Sequence, residues 1–392
     1  MDKTLLSAEI QEFIALNINA DVTKLALQKN KFPTTNWTAI LNQITAKQKT
    51  KSKLPTWYKT SNIYYPSKIS VEQTSSEKTA EYKSKLISGS SLIDLTGGFG
   101  VDDFYFSKKT NNVTHCEINQ ELYEIVKHNF KHLNTTNVEF FAGDSSETLK
   151  NLNRKFDWIY IDPSRRNDAK GKVFMLKDCL PNVPELLNFY FEFADNIMIK
   201  TAPILDISAG LSELDNVKTI HIIALENEVK ELVWILKKKY SKTIEIVTCN
   251  LTKNTADEFT FEFVNSSVSN YSLPKKYLFE PNAAIMKSGA FDEITSQFEV
   301  EKLHQHSHLY TSDFLIDFPG RAFEIENSFE FSKQNMKSFL ENKKANITTR
   351  NFPETVENIR KNWKIKDGGN VYCFFTTDIN NNKIVLLCAK LK

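Results

Sequence analysis

The sequence predicts an α/β protein organised around a Rossmann-like, doubly wound parallel sheet. Ser91–Leu95 alternates and ends in apolar residues, which indicates a short buried strand. Residues 96–100 form a turn with three glycines, and 101–109 continue with helical spacing. Strands and helices then alternate, which favours parallel pairing. A strand, a glycine turn and a helix bind nucleoside-bearing ligands at the carboxyl end of such a sheet, although many α/β proteins use this turn for structure alone.

Composition places the chain among ordinary globular proteins. Its 392 residues are 41% hydrophobic and 25% charged, which is enough for two to four domains with packed cores. There is no run of about 18 apolar residues, so we expect no membrane span. The five cysteines are scattered without a C-x-x-C pair, and the first residues lack a signal-peptide core. We therefore expect a cytoplasmic protein without disulfides.

Charge is unevenly distributed along the chain. Residues 1–70 contain 10 lysines, no arginine and 4 acidic residues, and residues 323–392 contain 12 basic and 8 acidic residues. Because the whole chain carries only +2, the middle is acidic. Positive ends around an acidic centre suit contact with a polyanion, and solubility alone is the alternative explanation.

The first 80 residues predict a small helical domain, because apolar residues recur at helical spacing. Near its end, Lys51, Lys53 and Trp57 lie in a stretch where lysines alternate with aromatic residues. Such a stretch suits contact with RNA phosphates and bases, or it is a solvated helix end and linker. Ser75 or Ser76 is placed to cap a helix that begins near Glu77.

The remaining elements follow from periodicity and turn residues. Further strands are predicted at 113–117, 138–142, 156–162, 196–201, 219–225 and 243–249. Helices are predicted at 119–132, from 145, at 184–194 and at 227–240. A linker at 265–276 precedes a small αβ segment, and the chain closes with helices at 333–340 and 354–363, a strand at 346–350, and a hairpin of 370–377 with 383–391.

Four carboxylates lie at or just past predicted strand ends: Asp94, Glu117, Asp144 and Asp162. Glu117 is placed to accept hydrogen bonds from ribose hydroxyls, and Asp144 from an adenine amine. Asp94 and Asp162 would repel a pyrophosphate but attract a cation. S-adenosylmethionine carries a ribose, an adenine, an ammonium and a sulfonium, so this pattern favours it as the cofactor.

The glycine spacing argues against a nicotinamide dehydrogenase. A dinucleotide fingerprint needs G-x-G-x-x-G, whose last glycine allows close packing of helix on strand. Counted from Gly98 and Gly100, that position is Asp103.

The motifs DLTGGFG, CEIN, GDS and DPSRR resemble, in this order, those of class I S-adenosylmethionine-dependent methyltransferases. The resemblance implies a catalytic loop of Asp162, Pro163 and Ser164 that orients or deprotonates the acceptor during direct in-line methyl transfer. It also implies cofactor contacts from the strand ends and the glycine loop: Asp94, Thr96, Gly98, Phe99, Gly100, Glu117, Ile118, Asp144 and Asp162. Phe99 is expected to line the pocket.

The whole chain is similar to bacterial methyltransferases that carry ferredoxin-like and THUMP-like C-terminal modules. LFEPNAAIMKSGAF, DFPGRAF and NFPETVENIRKNWKIKDGG carry this resemblance. It implies a helical domain at 1–80, a methyltransferase domain at 81–270, a ferredoxin-like module at 275–322 and a THUMP-like module at 323–392. THUMP domains recognise RNA, so tRNA or rRNA is implied as the partner.

The loop after the fourth strand departs from the family pattern. Ser164 stands where the family pattern has a second proline, and Arg165 stands where it has an aromatic residue. In amino-group methyltransferases that aromatic residue stacks on a flipped base. This puts base N-methylation in doubt and raises the alternative of a non-catalytic RNA-binding protein with a degenerate methyltransferase domain. Arg165 and Arg166 suit a phosphate or base contact, or a surface ion pair. No cysteine of this loop offers the nucleophile that pyrimidine C5 methylation needs.

The motif HQHSH places His304, His306 and His308 at every second position, as on one strand face. Neighbouring side chains there stand about 7 Å apart, whereas zinc ligands lie about 2 Å from the metal. We therefore expect no metal site and no metal in the reaction.

Overall fold

A computed structural model describes residues 1–66, 68–165, 175–263 and 268–391, with the side chains of 68–70 and 165 left out. The chain forms two compact units. The first contains Met1–Lys218 and Glu231–Lys242, and the second contains Thr219–Lys230 and Thr243–Lys392.

The α-helices along the described residues are α1 Ala8–Leu16, α2 Val22–Ala26, α3 Trp37–Lys53, α4 Pro55–Lys59, α5 Lys68–Gln73, α6 Glu77–Lys85, α7 Val101–Phe106, α8 Gln120–His132, α9 Ser145–Leu152, α10 Val183–Tyr190, α11 Ile207–Glu213, α12 Ala283–Ser288, α13 Glu293–Phe298, α14 Lys333–Phe339 and α15 Val356–Trp363. Short 3₁₀ helices cover Lys3–Leu6 and Leu176–Asp178. These helices are too short or too polar to cross a membrane.

The strands along the same residues are β1 Ser91–Asp94, β2 Asn112–Glu117, β3 Val138–Ala142, β4 Phe156–Ile161, β5 Ser164–Arg165, β6 Cys179–Leu180, β7 Ala194–Thr201, β8 Val217–Leu225, β9 Glu228–Lys237, β10 Glu245–Leu251, β11 Ala256–Glu262, β12 Tyr277–Pro281, β13 Glu301–Lys302, β14 Tyr310–Ser312, β15 Gly320–Glu330, β16 Asn346–Thr349, β17 Val371–Thr377 and β18 Lys383–Lys390.

The first unit contains the predicted parallel sheet. Its strands lie in the order β9-β7-β4-β1-β2-β3. Strands β7, β4, β1, β2 and β3 are parallel, and β9 runs antiparallel to β7. The carboxyl ends of the parallel strands therefore meet at one edge, where ligands of open α/β sheets bind.

The predicted helix at 227–240 is wrong, because Glu228–Lys237 is the strand β9. Its residues 231–236 are all buried. A strand covered on both faces reads as a continuous apolar run, and periodicity cannot separate such a run from a buried helix. The strand β11 was also missed.

The N-terminal helices share one core with the glycine-loop region. Ile40, Ile44 and Trp57 belong to the same buried cluster as Phe104 of α7 and Phe130 of α8. Ser76 caps α6 by accepting a hydrogen bond from the Thr79 amide, as the sequence predicts. The domain boundary at residue 80 stays a prediction.

The second unit is built on a seven-stranded sheet of order β13-β14-β12-β15-β18-β17-β16. Pairing is antiparallel except between β16 and β17. The predicted terminal hairpin is confirmed as β17 and β18. The HQHSH motif forms a turn rather than a strand face, so His304, His306 and His308 are not held in strand register.

The same unit buries His221 of β8, which is 8% exposed. Burial lowers the pKa of His221 to about 4. Below about pH 6.5 His221 is therefore protonated in the unfolded chain but stays neutral in the folded chain. The free energy of unfolding then falls as the pH falls. Between pH 7.5 and pH 5 we expect this residue to cost about 2 kcal/mol of unfolding free energy.

Urea unfolding of the wild type and of His221→Gln at both pH values measures the effect. The variant should show the smaller loss of stability on acidification, and the exposed His306→Gln should behave as the wild type. Equal pH dependence in all three proteins would contradict the assignment.

Candidate functional site

Two carboxylates fix the glycine loop between β1 and α7. Asp94 ends β1 and accepts hydrogen bonds from the Thr96 amide at 2.7 Å and the Thr96 hydroxyl at 3.1 Å. Glu117 ends β2 and accepts from the Gly98 amide at 2.9 Å and the Asn119 amide at 2.7 Å. Side chains from two neighbouring strands thus fix the backbone of the loop by hydrogen bonds.

Glycine is required at two positions of this loop for different reasons. A Cβ atom on Gly97 would lie 2.1 Å from Cε1 of His115, which leaves no room for a side chain. Gly98 has φ of +57°, a left-handed conformation that other residues adopt at a cost. A Cβ on Gly98 would meet only a backbone oxygen at 3.6 Å, so this part of the loop faces open space.

An acid and an imidazole lie buried beneath the loop. Nδ1 of His115 lies 2.5 Å from Oδ2 of Asp103, and both side chains are fully buried. Burial lowers the pKa of His115, and burial together with Asp102 raises the pKa of Asp103. Burial and Asp103 likewise raise the pKa of Asp94. Asp103, which stands where a dinucleotide fingerprint has its last glycine, is therefore an interior residue.

The edge beyond β2 and β3 is suited to a nucleoside. An ionised carboxylate has about four acceptor positions, so Glu117 can accept further hydrogen bonds beside the two backbone amides. Ile118 follows it with 76% of its surface exposed, which is unusual for an isoleucine. Asp144, exposed, caps α9 through the Glu147 amide at 2.9 Å. These residues therefore offer carboxylate acceptors and an exposed apolar side chain at this edge of the sheet.

The loop after β4 is tied to the glycine loop. The Asp162 amide donates to the Thr96 hydroxyl at 2.7 Å. Pro163 is buried, whereas Ser164 is exposed and its hydroxyl donates to the Leu180 carbonyl at 3.5 Å. Lys200, from the neighbouring strand β7, forms an ion pair with the Asp162 carboxylate.

A second set of charges lies behind this pair, and we call Lys83, Asp102 and Glu231 the buried charge cluster. Nζ of Lys83 lies 2.8 Å from Glu231 and 3.0 Å from Asp102, and its side chain is fully buried. Tyr160 donates to Asp102 at 2.7 Å. Burial disfavours the charge of Asp102, but Lys83 and Lys200 outweigh it and lower its pKa.

The carboxylates of this cluster also change the pKa of Lys200. Burial opposes the Lys200 charge, but Asp162, Glu231 and Asp102 outweigh burial and raise the pKa of Lys200. The cluster and the Asp162–Lys200 pair therefore act as one electrostatic unit, which the sequence pattern does not predict. The sequence signal for it is Lys200, which directly follows the apolar residues 197–199 of a predicted strand.

Several residues that the sequence predicts to contact RNA or the cofactor make other contacts in the structure. Trp57 is fully buried and packs on Phe104 with ring centroids 5.0 Å apart, so it offers no surface to RNA. Phe99 is 4% exposed and packs on Trp57, so its ring does not line an open pocket. Lys53 donates to the carbonyls of Val71 and Glu72.

Of the remaining predicted site residues, Lys51 is exposed on α3. Arg166 and the side chain of Arg165 lie outside the described residues. Gly100 caps α7 in a left-handed conformation. No group of metal-binding side chains is found among the described residues.

The six-stranded order of the first unit, with its carboxylates at the strand ends, is that of a methyltransferase-type α/β fold. Comparison with known proteins identifies the family. A protein of Porphyromonas gingivalis W83, described as a "putative methyltransferase", is 31% identical over 100% of this chain and 99% of that chain, with a TM-score of 0.88. The chain belongs to the same methyltransferase family.

Three family profiles match parts of the chain. Residues 64–177 match a family described as conserved hypothetical protein 95, residues 277–319 a ferredoxin-like domain, and residues 320–390 a THUMP domain-like family. The last two segments share the seven-stranded sheet through the pairing of β12 with β15.

Two further relatives cover less of the chain. An uncharacterized RNA methyltransferase of Clostridium acetobutylicum is 26% identical over 153 residues, which are 39% of this chain and 32% of that protein. The match thus spans about a third of the relative's length. The structure of M. capricolum TrmK in complex with S-adenosyl-homocysteine is 20% identical, covering 42% of this chain and 70% of that one with a TM-score of 0.33.

The buried charge cluster makes Lys83 important for stability. Lys83→Met would remove the ammonium that contacts both Asp102 and Glu231 in the interior, and breaking a buried ion pair in this way costs about 3–5 kcal/mol. Lys85 lies on the same helix, is exposed, and pairs with Glu81 at the surface. Lys85→Gln should change stability by less than about 0.5 kcal/mol.

Denaturant unfolding of the three proteins provides the measurement. A Lys83→Met protein as stable as the Lys85→Gln control would show that the cluster is not held together by this ammonium.

Proposed function

We propose that this protein is an S-adenosylmethionine-dependent methyltransferase that acts on RNA, such as tRNA or rRNA, in the cytoplasm. The observation that carries the proposal is the pair of carboxylates, Glu117 and Asp162, on two sides of a glycine loop that faces open space. A ribose fits the first carboxylate and a cationic group the second. The methyltransferase relative from Porphyromonas gingivalis, which matches over 100% of this chain, supports the same reaction.

The residues that would hold S-adenosylmethionine follow from this geometry. Glu117 would accept from the ribose hydroxyls, Ile118 would cover one face of the adenine, and Asp144 would accept from its amine. The backbone of residues 96–98 would approach the amino-acid part closely, because glycine leaves room there. When bound, this cofactor supplies a methyl group on a positively charged sulfur, which leaves as a neutral thioether.

An RNA partner is supported by the second unit and by one relative. Residues 320–390 match the THUMP domain-like family, and the Clostridium acetobutylicum relative is named an RNA methyltransferase. Lys344 and Lys366 are joined by a backbone bridge. They belong to a set of exposed lysines in this module, which comprises Lys343, Lys344, Lys361, Lys364 and Lys366. Closely spaced exposed lysines suit a phosphate backbone.

The chain's own contribution to the reaction is positioning and removal of water. The Thr96 hydroxyl ties the catalytic loop to the cofactor loop, so the two reactants would be held at a fixed separation. Asp162 is 37% exposed and can therefore touch the acceptor, while its partner Lys200 is 12% exposed. Pro163 and Ser164 would shape the acceptor side of the cleft.

A non-catalytic RNA-binding protein remains the second candidate. Ser164 and Arg165 in place of a proline and an aromatic residue favour it, because a base-stacking platform is missing from the sequence of this loop. Such a protein would bind RNA without transferring a methyl group, which separates the two candidates in one assay.

The test is transfer of tritiated methyl groups from S-adenosylmethionine to RNA isolated from cells that lack the gene. We expect label in RNA and none in the protein or small-molecule fractions. Asp162→Ala should lower the rate by about 100-fold or more, since it removes a group that orients or deprotonates the acceptor.

Asp195→Ala is the matched control, because Asp195 is 76% exposed and lies 4.0 Å from Lys238 in a surface ion pair. It should label RNA at the wild-type rate. RNA binding without any label would favour the second candidate, and full activity of Asp162→Ala would remove this residue from the mechanism.

A further inference from the structure

The Asp162–Lys200 pair offers the acceptor two opposite charges at once. The side chains of Asp162 and Lys200 are 37% and 12% exposed, whereas those of Lys83 and Glu231 are 0% and 3% exposed. Asp162 is thus the exposed end of a charge network in which Lys83 and Glu231 are fully buried and Lys200 and Asp102 are each 12% exposed. Asp162 is also tied through its amide to the loop that would hold the methyl donor.

The network holds Lys200 in its charged form. Three carboxylates, Asp162, Glu231 and Asp102, attract its ammonium. Lys83 lies between Glu231 and Asp102 and keeps those two acids in place. Lys200 is therefore a fixed cation beside the acceptor position and cannot serve as the base, which leaves the proton to a carboxylate.

A fixed cation discriminates between acceptor atoms. A ring nitrogen or an amine gains positive charge as it takes a methyl group, so a neighbouring ammonium opposes its reaction. A hydroxyl oxygen that gives up its proton gains no net positive charge, and the ammonium stabilises the negative charge that develops on it. The loop also lacks the aromatic residue that holds a flipped base. Along an RNA chain, the repeated hydroxyl is that of the ribose.

We propose that the acceptor is a ribose 2′-hydroxyl of the RNA, bound between the Asp162 carboxylate and the Lys200 ammonium. This inference rests on the proposed function and specifies its substrate atom. The hydroxyl oxygen bonds to the methyl carbon as the carbon–sulfur bond breaks, and that electron pair passes to sulfur. The hydroxyl proton passes to Asp162, and from there to water. Lys83 and Glu231 are positioning residues, since they reach the acceptor only through Lys200 and Asp162.

The test uses the chemistry of RNA hydrolysis, with the full chain and tritiated S-adenosylmethionine. Alkali cleaves RNA only next to a free 2′-hydroxyl, so a methyl group on that oxygen leaves its label in an alkali-resistant dinucleotide. We expect the tritium there. Label in mononucleotides would place the methyl group on a base and overturn the inference while leaving the proposed function intact. RNA that takes up no label at all would overturn both.

Variants of Lys200 test its role separately from folding and from donor binding. Lys200→Gln should lower transfer by about 100-fold, and Lys200→Arg, which keeps the charge, should recover a large part of it. Calorimetry should show that Lys200→Gln binds S-adenosylmethionine at least as tightly as the wild type, because a competing cation has been removed beside Asp162. Lys85→Gln should match the wild type in both assays.

Loss of donor binding in Lys200→Gln would show a structural role only, and so would equal activity of the Gln and Arg variants. Either result would contradict the assignment of Lys200 to the acceptor.

Discussion

The hydrogen bonds that Asp94 and Glu117 accept from the glycine loop are the interactions on which the rest of the site depends. Each carboxylate ends a parallel strand, and each accepts from a backbone amide of the loop. The conformation of the glycine loop is thus set by the sheet. The Thr96 hydroxyl in turn fixes Asp162, because it accepts a hydrogen bond from the Asp162 amide. A shift of either strand would displace both sides of the cleft together.

The ionisable groups around Asp162 carry opposite charges that largely balance one another. Lys83 and Lys200 are opposed by Asp102, Glu231 and Asp162, which leaves one negative charge in excess when all five are ionised. Buried charges are costly unless they are paired, so this arrangement has a cost in stability that a merely structural core would avoid. A cationic ligand beside Asp162 would balance the excess.

The sequence predicted the parallel core of the first unit well, because its strands are short, apolar and separated by glycine or capping residues. It placed the four acids at the strand ends, since these positions depend on local pattern alone. It failed at β9, where the buried apolar run 232–236 is compatible with a helix as well as a strand, and this error concealed the position of Glu231. The prediction that Trp57 is exposed was wrong. The lysines around it are typical of a surface, but the Trp57 ring is buried against Phe104. The ion pairs of Lys83 and Lys200 join residues far apart in the chain, so no local pattern could reveal them.

The most direct test of the account is calorimetric titration of the wild type and Glu117→Ala with S-adenosylmethionine. We expect one binding event per chain, with an affinity about 10-fold to 100-fold weaker in the variant, because the Glu117 carboxylate would accept hydrogen bonds from the ribose. Absence of binding to the folded wild type, or binding of a nicotinamide dinucleotide in its place, would contradict it.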